Sequence, residues 1–159
     1  MKSMFKFTSA LLFCLIVFGG YAQQNETDSV LRSMHAIRKA MLSTAEDTER
    51  HKLNEDFKLA IEAFLNLRGS FQEATDSLSY FGDLYSPDKA FRLLTWNLPL
   101  EGGRFSYFCY VQRKDETWYE LVDTKHEGRR LENKSFSHDE WMGALYYEIL
   151  PVKHKKERY

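Results

Sequence analysis

The sequence predicts an α+β fold: an N-terminal helical hairpin followed by an antiparallel β-meander. Apolar residues recur at helical steps between Val30 and Phe64, and β-forming runs follow from Ala90 onward. Short polar or glycine-bearing turns separate those runs, as neighbouring antiparallel strands require.

The chain opens with an export signal. Lys2 and Lys6 precede an unbroken apolar stretch from Ala10 to Phe18, which ends at Gly19 and Gly20. That stretch falls well short of the roughly 17–25 residues a membrane-spanning helix needs. Gly20 and Ala22 supply the small-x-small pattern of a cleavage site, so residues 1–22 are expected to be removed before Gln23, leaving no transmembrane anchor. A lipidated Cys14 is the rival reading, since Leu11 stands three residues before it. Bulky Phe13 opposes this, because the residue before a lipidated cysteine should be small.

The expected organisation is therefore a signal peptide over 1–22, a helical region over 23–85, and a sheet region of the same domain over 86–159. Val30, Met34, Ile37 and Met41 form one helical stripe, with Asp28 or Ser29 placed to cap its start. Leu53, Phe57, Ala60, Ile61 and Phe64 form a second, and Gly69 stands where that helix should stop. Ser43 to Thr48 joins the two as a hairpin. The spacing of Phe71, Ala74, Leu78 and Phe81 predicts a short third helix before Gly82. Strands are predicted over 90–98, 104–112, 117–123 and 144–152, with hairpin chemistry at Gly102-Gly103 and a polar turn over 113–116. A loop over 124–134 leads to Ser137 and Glu140, which have the spacing of a capping box. After Val152 too few residues remain for a returning strand, which leaves two readings open: a complete domain, or a fragment ending inside one.

Charge and cysteine content narrow the function classes. Formal net charge is −1 over the whole chain, and loss of Lys2 and Lys6 makes it about −3, so no global field draws the protein to nucleic acid. The basic cluster Lys153, Lys155, Lys156 and Arg158 reads as a solvated turn. Only Cys109 survives signal removal, so no intramolecular disulfide forms, and its aromatic neighbours Phe108 and Tyr110 mark it as a small buried residue.

Chemistry-bearing motifs are few. The histidines at 35, 51, 126, 138 and 154 have no i, i+4 pair, and no Cys-x-x-Cys occurs, so neither a metal nor another cofactor is expected. His126, His138, Asp139 and Glu140 are the one group that would serve a hydrolase, but helix capping explains Asp139 and Glu140 without invoking chemistry and is the preferred reading. No nucleophile elbow, phosphate-binding loop or dinucleotide fingerprint is present. The strand aromatics Tyr107, Tyr110, Trp118, Tyr119, Tyr146 and Tyr147 are the candidate binding residues, since tyrosine and tryptophan on a sheet face stack on sugar rings or anchor a protein partner.

Ser86-Pro87-Asp88-Lys89, Phe91-Arg92 and Trp96-Asn97-Leu98-Pro99, followed by Trp141 and Gly143-Ala144-Leu145-Tyr146-Tyr147, give residues 80–152 a resemblance to uncharacterised exported bacterial proteins. The resemblance implies an exported bacterial domain whose shared motifs are structural, with relatives that continue into further strand-like sequence. It carries no catalytic residue across. Ser-Pro-Asp before a strand also resembles β-propeller blades, but no second copy follows. The expected function is that of a non-enzymatic binding or interaction module of the bacterial cell envelope, periplasmic or secreted, with a protein or carbohydrate partner; the alternative is the hydrolase above.

Overall fold

The computed structural model describes residues 4–75, 77–121, 146 and 148–151, with side chains from Gln24 onward. Helix α1 (Met4–Ser43) and helix α2 (Asp47–Leu65) are followed by strands β1 (Phe81–Tyr85), β2 (Phe91–Leu100), β3 (Arg104–Arg113) and β4 (Trp118–Leu121). The strands form one sheet in the order β1-β2-β3-β4, every neighbour antiparallel. This is the α+β arrangement the periodicities predict.

The helical hairpin is tied at its turn by side chains as well as backbone. Thr44 Oγ1 donates to the Ala40 carbonyl (2.9 Å), and Arg50 reaches back to the Thr44 carbonyl (2.7 Å) while pairing with Asp47 (3.1 Å). Asp28 does not cap a helix start as expected. It lies inside α1, where it accepts from the Gln24 side-chain amide at 3.1 Å, since the helix runs on through Gly19 and Gly20 and no proline interrupts it from Met4 to Ser43.

Strand alternation sorts the sheet into two faces. Phe81, Asp83 and Tyr85 of β1 lie opposite Trp96, Leu94 and Arg92 of β2, which in turn face Phe108, Tyr110 and Gln112 of β3. This face meets the helices. Met34 and Met41 of α1 and Phe57, Ile61, Phe64 and Leu65 of α2 join Leu94, Trp96, Leu98 and Tyr110 in one buried core. The helical stripes thus find in the sheet the cover that their mutual packing could not supply.

The predicted third helix is absent, and the sheet begins at Phe81 rather than after residue 85. Gly69 adopts a left-handed φ of 81° and opens only a short 3-10 turn, Ser70–Gln72, after which Glu73 is extended. The Thr75 amide then donates to the Asp83 carboxylate at 3.1 Å instead of to a helical carbonyl. Cross-strand pairing with β2 outweighs the helical spacing of the apolar residues. Of the strand expected over 144–152, the described residues 146 and 148–151 carry no ladder assignment, and the rest lie outside the described residues, as do 122–123 of the preceding strand and the loop and capping box that follow it.

The far face of the sheet is buried in part, at Thr95, Cys109 and Val111. Burial pushes the Cys109 thiol up to about 12, which keeps it protonated and inert. Gly82 sits on this face with no room for a side chain: a Cβ would stand 2.7 Å from Thr95 Cγ2 and 3.5 Å from the Tyr146 carbonyl. Gly82→Ala is expected to cost about 1–3 kcal/mol in urea unfolding, and adding Thr95→Ser, which removes the clashing methyl, should restore part of it. An unchanged midpoint for Gly82→Ala would show that this contact yields freely.

Candidate functional site

Two turns meet at one end of the sheet. In the β1–β2 turn, Ser86 Oγ accepts from the amides of Ala90 (3.0 Å) and Phe91 (3.1 Å) and donates to Asp88 Oδ1 (2.7 Å). The Ser86 hydroxyl and the Ala90 amide, which also donates to Asp88 Oδ1 at 3.1 Å, hold the Asp88 carboxyl below its usual range. The β3–β4 turn joins it through the Lys114 amide, which donates to the Ala90 carbonyl at 2.9 Å. The two turns thereby bring Lys89 and Lys114 to the rim of one cavity.

That cavity has a volume of about 600 Å³ and is lined by Phe71, Gln72, Ala74, Asp83, Tyr85, Lys89 and Lys114. Behind its wall lies a buried polar network centred on Arg92, which is wholly buried. Arg92 Nη1 donates to Asp83 Oδ2 (3.1 Å), the Tyr85 hydroxyl (3.1 Å) and the Glu73 carbonyl (2.8 Å). Its Nη2 donates to the Ser70 carbonyl (2.7 Å) and its Nε to Gln112 Oε1 (2.9 Å). The guanidinium also lies 5.4 Å from the ring centre of Phe64 and 5.6 Å from that of Tyr85, within cation–π range.

Asp83 is the counter-charge. Its side chain is 3% exposed, and its Oδ2 accepts from Thr75 Oγ1 at 2.7 Å as well as from the Thr75 amide and Arg92. Its Oδ1 is buried without a hydrogen-bond partner among the described residues. Such an atom is uncommon, because an unmet buried acceptor costs roughly 1–3 kcal/mol. Tyr85 donates to the Phe71 carbonyl, and burial raises its hydroxyl pKa although the Arg92 charge opposes the shift.

A second cavity of about 520 Å³ lies between α1 and residues 78–79, lined in part by His35, Arg38 and Lys39. Arg38 is buried here with no carboxylate paired to it among the described residues, its donors taken by the carbonyls of Ser79 (3.0 Å), Tyr80 (2.9 Å) and Asn97 (2.9 Å). Burial lowers its pKa to about 10, so it remains charged at neutral pH.

The predicted aromatic residues do not form one platform. Tyr110 is fully buried, stacked on Trp96 at 5.9 Å with its hydroxyl donating to Glu62 (2.7 Å), so it belongs to the core and is closed to a ligand. Trp118 shares that helix-facing side and donates to Asn66 Oδ1 at 3.0 Å. Tyr107 and the 42% exposed Tyr119 lie on the opposite face, Tyr107 beside Phe105 at 6.5 Å. Tyr146 is half-buried and lines a small cavity with Gly82 and Thr95. Tyr147 and the group His126, His138, Asp139 and Glu140 lie outside the described residues. Among the described residues no cluster of His, Cys, Asp or Glu is placed to hold a metal ion, and no helix is long and apolar enough to cross a membrane.

Asp83, Tyr85, Arg92, Lys89 and Lys114 are the residues that sequence reasoning missed. One signal was available: Arg92 is in phase with Leu94, Trp96 and Leu98, so a two-residue period already turns its side chain toward the core. Fold and site together define an α+β protein with a polar-floored cavity at one end of a four-stranded meander. No protein-family model, curated protein or solved structure matches the chain.

Proposed function

We propose that the protein is an exported, non-enzymatic binding module of the bacterial cell envelope, and that the cavity beside Asp83 is its ligand site. The observation that carries the binding reading is the orphaned, buried Asp83 Oδ1 beside a cavity of small-molecule size. The chemistry around it favours holding over turnover. Asp83 is bound by Arg92 and Thr75, and the raised pKa of Tyr85 keeps its proton in place, so neither is poised as a general base. The order of charge, apolar run and small residues over 1–22, together with the resemblance over residues 80–152, supports export.

Fractionation of the producing bacterium with intact-mass analysis tests the compartment. The expected product lies outside the cytoplasm and begins at Gln23. Full-length protein retained in the cytoplasm with residues 1–22 intact would overturn export, leaving the cavity to be tested separately.

A further inference from the structure

We infer that the cavity takes an acidic sugar, a hydroxyl-bearing ring with one carboxylate; this rests on the reading of the cavity as the ligand site. The charge at the rim selects an anion. Lys89 and Lys114 are exposed, line the same cavity, and form no ion pair among the described residues. Both remain available for charge-assisted hydrogen bonds to a carboxylate. Arg92 already neutralises Asp83 at 3.1 Å, so the two lysines are the uncompensated charges among the lining residues and disfavour a ligand ammonium group there.

The inner end selects a neutral donor. Asp83 Oδ1 lacks a hydrogen bond, and a hydroxyl supplies one without adding positive charge beside Arg92. Between the two ends Phe71, Ala74 and Tyr85 provide apolar wall, against which the C–H face of a pyranose packs. Because Oδ1 is buried, the hydroxyl reaches it only with a local shift at the cavity floor. Thr75 reports that movement through its two bonds to Asp83 Oδ2.

Backbone amide shifts of the protein, followed by NMR during titration with glucuronate, glucose, glucosamine and inorganic phosphate, provide the test. Glucuronate is expected to move the amides of Thr75, Tyr85, Lys89 and Lys114, and glucose to bind at least tenfold more weakly. Glucosamine should leave them unmoved, and phosphate should perturb only the two lysines. The double variant Lys89→Ala/Lys114→Ala, altered only at exposed positions, should lose at least tenfold in glucuronate affinity with an unchanged thermal midpoint. Ala74→Trp, which fills the cavity from an exposed position, should abolish binding. Equal binding of glucose and glucuronate, indifferent to loss of the lysines, would overturn the acidic-sugar assignment while leaving the cavity as a ligand site. Phosphate moving Thr75 as glucuronate does would remove the role of the hydroxyl. If none of the probes moves any amide around the cavity, both the assignment and the ligand site fall.

Discussion

Replacing Arg92 by methionine is expected to destabilise the protein by about 3–5 kcal/mol, the range for breaking a buried ion pair from one side. The guanidinium is wholly buried, and its loss strips a donor from Asp83, Gln112, the Tyr85 hydroxyl and the carbonyls of Ser70 and Glu73. The Asp83 charge would then stand unpaired in the interior. Methionine replaces the apolar stem out to the position of Nε but ends short of the guanidinium carbon that lies over Phe64, Phe71 and Tyr85, so a packing loss adds to the electrostatic one. Arg92→Lys keeps a positive charge but cannot serve acceptors on separate sides, and should recover less than half of the loss. Adding Asp83→Leu to Arg92→Met removes the stranded charge and should regain roughly 1–3 kcal/mol, though the Glu73 carbonyl loses its Arg92 donor and the Ser70 carbonyl keeps only the Glu73 amide. Urea unfolding of the variants decides it. A loss below about 1 kcal/mol for Arg92→Met would mean that water replaces the guanidinium without penalty, and that the network does not order the 3-10 turn and β1 against the sheet.

That network also shows why some of the architecture was legible in the sequence and some was not. The stripes on α1 and α2 and the strands β2 and β3 follow from short-range periodicity, which burial against a single partner layer enforces. Residues 70–85 follow a different logic. Phe71, Ala74, Leu78 and Phe81 keep a helical step, but the segment is held by bonds that run to distant residues, from Thr75 to Asp83 and from Ser70 and Glu73 to Arg92. Pairings over such separations leave no local pattern. The aromatic residues show a similar limit. Alternation predicts that Tyr107 and Tyr110 point to opposite faces, yet not which of those faces the helices cover, and it was their cover that removed Tyr110 from the candidate binders. The rim lysines were hidden for a simpler reason: Lys89 and Lys114 lie in different turns, which the pairing of Phe91 with Arg113 and the bond from the Lys114 amide to Ala90 bring together.

Trp96→Ala is the second substitution expected to act strongly, with a loss of about 3–5 kcal/mol for truncating a fully buried aromatic. Trp96 is where the layers meet. Its ring stacks on Phe108 (5.2 Å) and Tyr110 (5.9 Å) of β3 and on Phe81 of β1 (6.0 Å), while Phe57 of α2 approaches edge-on at 5.4 Å. The indole N–H donates to Asn54 Oδ1 at 2.9 Å, a polar tie between sheet and helix inside an apolar core. Trp96→Phe separates these contributions, because the benzene ring keeps most of the stacking and loses the hydrogen bond. Its expected cost is about 1–2 kcal/mol, since Asn54 Oδ1 is left without its donor. Asn54 Nδ2 already lacks a partner among the described residues, so a second unmet atom would follow on the same side chain. Adding Asn54→Leu to Trp96→Phe replaces both unmet groups with apolar surface and should recover part of that loss. The order Ala, then Phe, then the Phe/Leu pair, from least to most stable, ties the core to ring packing first and the buried hydrogen bond second. If Trp96→Phe proved as damaging as Trp96→Ala, the Asn54 bond rather than the aromatic stack would be what fixes α2 on the sheet.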